Sequence, residues 1–200
     1  ILRQAYKEQF LKINVSDYLD YIPREQAEIR QFLTMDEVRV LYNTPCVYDV
    51  LKNAAMFSIF TGLRFSDIYD LDWSHITTAP DGKPCIVKQI VKTRRNATIY
   101  ISDEALQFCG ERKEEGRVFP YLRKSMTKAP LHNWIKRSGI QKHITFHCFR
   151  HTNATLLASS GINIYTVKDQ LVHTHVNTTE IYAKLLDTNK RAAAEAITLR

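Results

Sequence analysis

The sequence has no run of apolar residues long enough to cross a membrane. A membrane-spanning helix needs about 20 such residues, and no apolar run in this 200-residue chain approaches that length. A signal peptide is also not recognisable. Because the chain opens on Ile1 and not on a methionine, we interpret it as a fragment whose start says nothing about targeting.

Cysteine is scarce and scattered. The four cysteines share no close spacing, so the sequence indicates neither a CxxC zinc site nor a disulfide framework; they are Cys46, Cys85, Cys109 and Cys148. We therefore expect reduced thiols in a cytoplasmic protein. The candidate residues described below also have no cluster of carboxylates beside them, so neither a metal nor another cofactor is predicted.

Basic residues outnumber acidic ones. The chain has 28 Lys and Arg against 21 Asp and Glu, a formal net charge of +7 and a pI of about 9.2. This excess favours a polyanionic partner such as nucleic acid. The charge is dispersed along the chain, which favours a folded binding surface over a disordered basic arm.

The chain divides into three parts. Residues 1–22 carry apolar side chains at helical spacing, as at the end of a preceding helical domain. A proline and several polar residues predict a linker over residues 23–33. Thr34 and Glu37 have the spacing of a capping box, which starts a helix, and we place the main domain at residues 34–200.

The main domain is predicted to be mainly α with a small antiparallel β-sheet. A buried helix over residues 50–60 should end at Gly62, which can adopt a positive φ, and Arg64 should open the next helix. Residues 85–101 have strand character, which includes Ile90 and Val91, and a hairpin turn over residues 92–96 interrupts it and carries Lys92 near its tip. Further helices are predicted at about 103–109, 127–138, 146–160, 163–171 and 178–199.

Histidines in the second half allow two interpretations. His147 and Arg150 are three residues apart, so both lie on one face of a helix. His147 and His151 have the i, i+4 spacing of zinc ligands, and His173 and His175 would add nitrogen donors. A glutamate that could act as base does not follow His147 in the sequence, so zinc is the less favoured interpretation.

Six residues form a set suited to one chemistry: Arg64, Lys92, His147, Arg150, His173 and Tyr182. The cations suit a phosphate whose charge grows in a transition state. A tyrosine hydroxyl is a nucleophile that can take that phosphate covalently. Each residue alone is ordinary, but together they predict metal-free cleavage and rejoining of a nucleic-acid backbone.

The strings that contain these residues are TGLRFSD at 61–67, KT at 92–93, HCFRHT at 147–152, LVH at 171–173 and TTEIY at 178–182. Their order and spacing resemble the tyrosine recombinase (phage integrase) family over about residues 34–186. The resemblance implies that family's catalytic fold for residues 34–200. It also implies that residues 1–22 end a core-binding domain, which an arm-binding domain can precede.

The resemblance implies a site-specific DNA recombinase, the integrase of a mobile element or prophage. Tyr182 would form a 3′-phosphotyrosyl link, Arg64 and Arg150 would clamp the phosphate, and Lys92 would protonate the leaving 5′ oxygen. His147 and His173 would assist at the phosphate, and His147 alternatively at the tyrosine. The implied partners are double-stranded DNA, three further copies in a tetramer and accessory DNA-bending proteins, at the bacterial nucleoid.

Other functions share parts of this pattern. A type IB topoisomerase uses the same chemistry, a chromosome-dimer resolvase or an inversion recombinase belongs to the same family, and a non-catalytic DNA-binding module is the alternative from another class. One residue departs from the family's pattern, since Val172 stands where glycine is usual. A β-branched residue adopts a positive φ with difficulty, so a different local turn is expected before His173.

Overall fold

Helices dominate the computed structural model, which describes residues 2–18, 31–173 and 179. The α-helices are α1 (Leu2–Lys7), α2 (Met35–Asn43), α3 (Asp49–Thr61), α4 (Phe65–Tyr69), α5 (Asp103–Gln107), α6 (Ala129–Arg137), α7 (Phe146–Ser159) and α8 (Ile164–Gln170). Short 3-10 helices occur at Val15–Tyr18, Trp73–His75 and Lys124–Thr127. Within the described ranges, none of these helices is long and apolar enough to cross a membrane.

Three short strands form one antiparallel sheet, so the predicted fold class is confirmed. They are β1 (Ile76–Thr78), β2 (Pro84–Gln89) and β3 (Asn96–Tyr100), in the order β1-β2-β3. The first strand was not predicted, because three residues are too few to show an alternating pattern. Ile90 and Val91, which the sequence assigned to a strand, instead belong to the turn that connects β2 to β3.

From residue 34 to residue 171 the predicted helix boundaries agree closely with the structure, whereas residues 2–18 have an α-helix only at Leu2–Lys7 and a 3-10 helix at Val15–Tyr18. Thr34 caps α2 in a capping box, since the Glu37 amide donates to Thr34 Oγ1 at 3.3 Å and the Thr34 amide to Glu37 Oε2 at 2.7 Å. Leu33, the last residue of the predicted linker, is buried, and its amide donates to Thr152 Oγ1 at 2.9 Å. The predicted helix over 178–199 lies, apart from Thr179, outside the described residues.

The core is built around α3, which packs against α7 and α5. The aromatic rings of Phe65 and Phe146 meet edge to face, with their centroids 5.1 Å apart. Phe65 follows Arg64, and Phe146 precedes His147. This contact therefore holds the beginnings of α4 and α7 side by side, and with them two of the candidate residues.

Candidate active site

Arg150 lies at the junction of three helices. Its side chain projects from α7 and is only 3% exposed. The guanidinium donates from Nη1 to the carbonyl of Gly62 and from Nη2 to the carbonyl of Leu171, both at 2.6 Å. Gly62 ends α3 and precedes Arg64 by two residues, whereas Leu171 ends α8 and precedes His173 by two. One planar side chain thus fixes the segments that carry two other candidate residues.

Glycine is the residue type that this junction accommodates at position 62. It ends α3 with φ +71°, in the left-handed region that favours glycine. A Cβ at this position would lie 2.4 Å from Leu171 Cδ2 and 2.7 Å from Asn153 Oδ1. The missing side chain allows α7 and the end of α8 to approach the Gly62 carbonyl closely enough for Arg150 to bind it.

Gly62→Ala is expected to lower the free energy of unfolding by about 2–4 kcal/mol, since a left-handed alanine is strained and its methyl group collides with Leu171 and Asn153. Gly139→Ala is the matched control, because Gly139 has φ +76° but nothing within 4 Å of the position that a methyl group would occupy. The control should lose only the strain, about 1–2 kcal/mol. Urea unfolding measures both losses, and equal losses would contradict the crowding at Gly62.

Arg64 begins α4 as its N-cap residue, as predicted. Its side chain is 14% exposed, and its Nη1 lies 3.9 Å from Oδ2 of the fully buried Asp67. The other carboxylate oxygen of Asp67 accepts the amide of Val91 at 3.0 Å. The Asp67 carboxylate therefore connects Arg64 to the turn that carries Lys92.

Lys92 lies exposed in the turn between β2 and β3, as predicted. The turn is closed by two backbone hydrogen bonds, from the Ile90 amide to the Arg95 carbonyl at 2.9 Å and from the Arg94 amide to the Ile90 carbonyl at 2.8 Å. The base of the turn is attached to α4 through Val91 and Asp67. Lys92 thus has a long exposed side chain on a backbone tied to the segment that contains Arg64.

His147 and His151 form a pair at the beginning of α7. Their ring centroids are 4.5 Å apart with an interplanar angle of 81°. His147 is exposed, whereas His151 is 8% exposed. Across residues 2–18, 31–173 and 179, the His, Cys, Asp and Glu side chains form no group of three that could hold a metal ion.

His173 follows a helix end whose backbone differs from the one expected from the sequence. Val172 adopts φ +50° despite its branched side chain. The Val172 amide donates to the Asp169 carbonyl at 2.9 Å and the His173 amide to the Lys168 carbonyl at 3.0 Å. This is the Schellman arrangement that normally has glycine at the position of Val172. The expectation of a different turn before His173 is therefore wrong. Packing of Val172 against the main core offsets the strain of its positive φ.

His173 is itself 8% exposed, and its Nδ1 lies 2.8 Å from Oγ1 of Thr179. Thr179 is fully buried and precedes Tyr182 by three residues. Tyr182, the predicted nucleophile, lies outside the described residues. The contact between His173 and Thr179 places the Thr179 side chain beside the end of α8.

Lys88 lies next to the candidate site and was not predicted from the sequence. It is 7% exposed, and its Nζ donates to the Asp67 carbonyl at 2.8 Å. Burial lowers the pKa of Lys88 below its ordinary value, and the carboxylates of Asp67 and Asp70 oppose that shift. The period of two along β2 would have found this residue, because it places Lys88 on the same inward face as Ile86.

Residues 31–189 match the phage integrase family. The matched range includes all six candidate residues and most of the chain. The chain belongs to the phage integrase family. A tyrosine recombinase of Thermosipho africanus is 28% identical over 185 residues, which cover 88% of this chain and 64% of the relative. This integrase-family chain therefore spans less than two thirds of that relative's length.

Solved structures share the fold of this integrase-family domain. The catalytic domain of bacteriophage HP1 integrase aligns with a TM-score of 0.62 and 25% identity, covering 82% of this chain and 93% of that one. A lambda integrase dimer bound to a COC′ core site aligns with a TM-score of 0.70 and 21% identity, covering 90% of this chain and 68% of that one. At 21% identity, the similarity to the lambda integrase structure shows a shared fold alone.

Proposed function

We propose that this chain is the catalytic domain of a site-specific DNA recombinase that cleaves and rejoins DNA through a 3′-phosphotyrosyl intermediate. The observation that carries the proposal is the buried Arg150 guanidinium, which joins the segments of Arg64 and His173. A cation fixed in this way is preorganised for a phosphate oxygen, so little reorganisation is needed when charge develops. Membership of the integrase family supports the same chemistry.

Each step of the proposed reaction has a residue in this chain. The Tyr182 oxygen attacks phosphorus, the bond to the 5′ oxygen breaks, and the phosphate remains on the tyrosine. Arg64 and Arg150 bind the non-bridging oxygens. Lys92 gives a proton to the leaving 5′ oxygen. Rejoining is the reverse reaction, and the phosphotyrosyl bond conserves the energy that it needs.

His147 and His173 complete the proposed site. His147, exposed one helical turn before Arg150, hydrogen-bonds the phosphate or takes the tyrosine proton. His173, positioned by Val172 and by Thr179, donates to the phosphate. Asp67 is a positioning residue, since its two carboxylate oxygens face Arg64 and the turn of Lys92.

The proposed biological role is integration or excision of a mobile element or prophage. Double-stranded DNA is the substrate, and exchange of two duplexes requires four protomers, assisted by accessory DNA-bending proteins. A chromosome-dimer resolvase or an inversion recombinase would use the same site. The DNA that flanks the gene distinguishes these roles, because the ends of a mobile element would lie there.

The proposal predicts covalent capture of DNA. Nicked duplexes tiled across the DNA on both sides of the gene are incubated with the chain, so that the cleaved 5′ fragment diffuses away and the intermediate accumulates. At least one duplex should give a protein–DNA band that survives denaturant and persists in EDTA. Binding without any such band would identify a non-catalytic DNA-binding module, and a band that needs divalent metal would contradict the mechanism.

A further inference from the structure

Tyr121 adopts a backbone conformation that tyrosine rarely adopts. Its φ is +66°, in a turn closed by the Leu122 amide and the Phe119 carbonyl at 3.4 Å. Pro120 precedes it, and a proline followed by a residue of positive φ is the pattern of a type II turn. Glycine and asparagine are the residues that suit this position. A tyrosine here is strained, so folding alone does not explain its presence.

The Tyr121 ring also adds little to the core, because the residue is 79% exposed. Its neighbours are anchored on both sides, with Phe119 2% exposed and Leu122 1% exposed. The turn therefore presents an aromatic ring to solvent from a fixed base. Strained backbone of this kind is concentrated at binding and catalytic sites, where the surrounding structure maintains it.

The segment that contains this ring is basic. Between residues 117 and 143 the sequence has seven Arg and Lys and no Asp or Glu. The exposed members next to the turn are Arg123, Lys124 and Lys128. Further along, a groove of about 540 Å³ is lined by residues that include His132, Lys136, Lys142 and His143. A stretch with positive charges and no carboxylate, beside an exposed aromatic ring, is complementary to the phosphate backbone of a nucleic acid.

This basic surface, residues 117–143, adjoins the candidate active site. The Arg117 guanidinium lies 4.1 Å from the ring centroid of Tyr69, at the end of α4. The Tyr69 ring packs on Phe65 at 5.9 Å, and Phe65 packs on Phe146 at 5.1 Å. Phe65 and Phe146 are the chain neighbours of Arg64 and His147. Arg117, at the start of the basic surface, is therefore linked through packed rings to the segments of Arg64 and His147.

We propose that Tyr121 contacts duplex DNA beside the active site, with its ring against the sugar edge or a groove, while Arg123, Lys124 and Lys128 bind neighbouring phosphates. The inference rests on the proposed action on DNA. It assigns Tyr121 to substrate positioning, because the turn places the ring outside the fold and the basic surface attracts the duplex to it.

Tyr121→Asn separates DNA contact from folding. Asparagine tolerates a positive φ, so the Tm of the variant should equal or exceed that of the parent chain. Its affinity for a short mixed-sequence duplex should fall about tenfold, equivalent to about 1.4 kcal/mol. Tyr121→Phe keeps the ring and should bind like the parent chain. If Tyr121→Asn binds as tightly as the parent, or if it loses stability instead, the proposal is overturned.

The neighbouring lysines are tested by the salt dependence of binding. Lys124→Ala should reduce the slope of log K against log salt by about 1, since one phosphate contact is lost. Lys113→Ala is the matched control, because Lys113 is also exposed but is followed by Glu114 and Glu115, and its slope should be unchanged. Equal slopes for both variants would contradict the basic surface. Failure of the parent chain to bind any duplex would instead contradict the proposed function.

Discussion

Tyr182→Phe is expected to bind its DNA site as tightly as the parent chain and never to become linked to it. The substitution deletes one hydroxyl and leaves the ring, so the fold and the phosphate clamp of Arg64 and Arg150 are retained. Covalent capture on the nicked duplex that the parent cleaves measures the effect. The denaturant-stable band should disappear entirely, while the gel-shift affinity stays the same.

Tyr165→Phe is the matched control for that experiment. Tyr165 lies in α8 and is 62% exposed, so it is the type of accessible tyrosine that would become labelled by an unspecific reaction. The control should give the full covalent band. If Tyr182→Phe still yields the band, another residue is the nucleophile, and a loss of the band in Tyr165→Phe alone would identify that residue.

Local sequence signals predicted most of this fold. The capping box at Thr34 and Glu37 places the start of α2, and Gly62 places the end of α3, because caps depend on a few adjacent residues. The turn of Lys92 followed from a polar interruption between two apolar runs. These features are decided by neighbours in the chain, so the sequence alone is enough to find them.

Other features depend on contacts between distant segments. Val172 was expected to alter the turn before His173, yet packing against the main core holds it at a positive φ. Lys88 has the sequence context of a surface residue in a strand, but it is buried against the Asp67 carbonyl, 21 residues away. In both cases tertiary packing overrides a local preference. The period of two along β2 does place Lys88 on the inward face, whereas no local pattern reports the positive φ of Val172.

The basic surface was also not predicted from the sequence. The net charge of the whole chain sums its acidic and basic stretches, so it does not show where the basic residues are concentrated. The stretch from 117 to 143 has no carboxylate at all, and this was visible in the sequence. What the sequence did not show is that Tyr121 is exposed and strained within that stretch, since both properties follow from the buried neighbours that anchor its turn.

Arg150→Lys is expected to slow cleavage about 100- to 1,000-fold, the effect of losing one preorganised hydrogen-bond donor. The guanidinium reaches the carbonyls of Gly62 and Leu171 with two nitrogens at once. A single ammonium group cannot reproduce that fork, so one buried carbonyl loses its partner and stability falls by about 1–3 kcal/mol. Single-turnover cleavage of the nicked site, well below the Tm of the variant, measures the rate, and urea unfolding measures the stability.

Arg112→Lys is the matched control for Arg150→Lys, because Arg112 also donates to a backbone carbonyl, that of Ile76 at 3.0 Å, but from an exposed residue outside the basic surface. A surface substitution of this kind should change stability by less than about 0.5 kcal/mol and leave the cleavage rate unchanged. If Arg150→Lys cleaves within twofold of the parent, as judged against this control, positive charge alone is sufficient at position 150. The bridging geometry would then serve the fold and not the reaction.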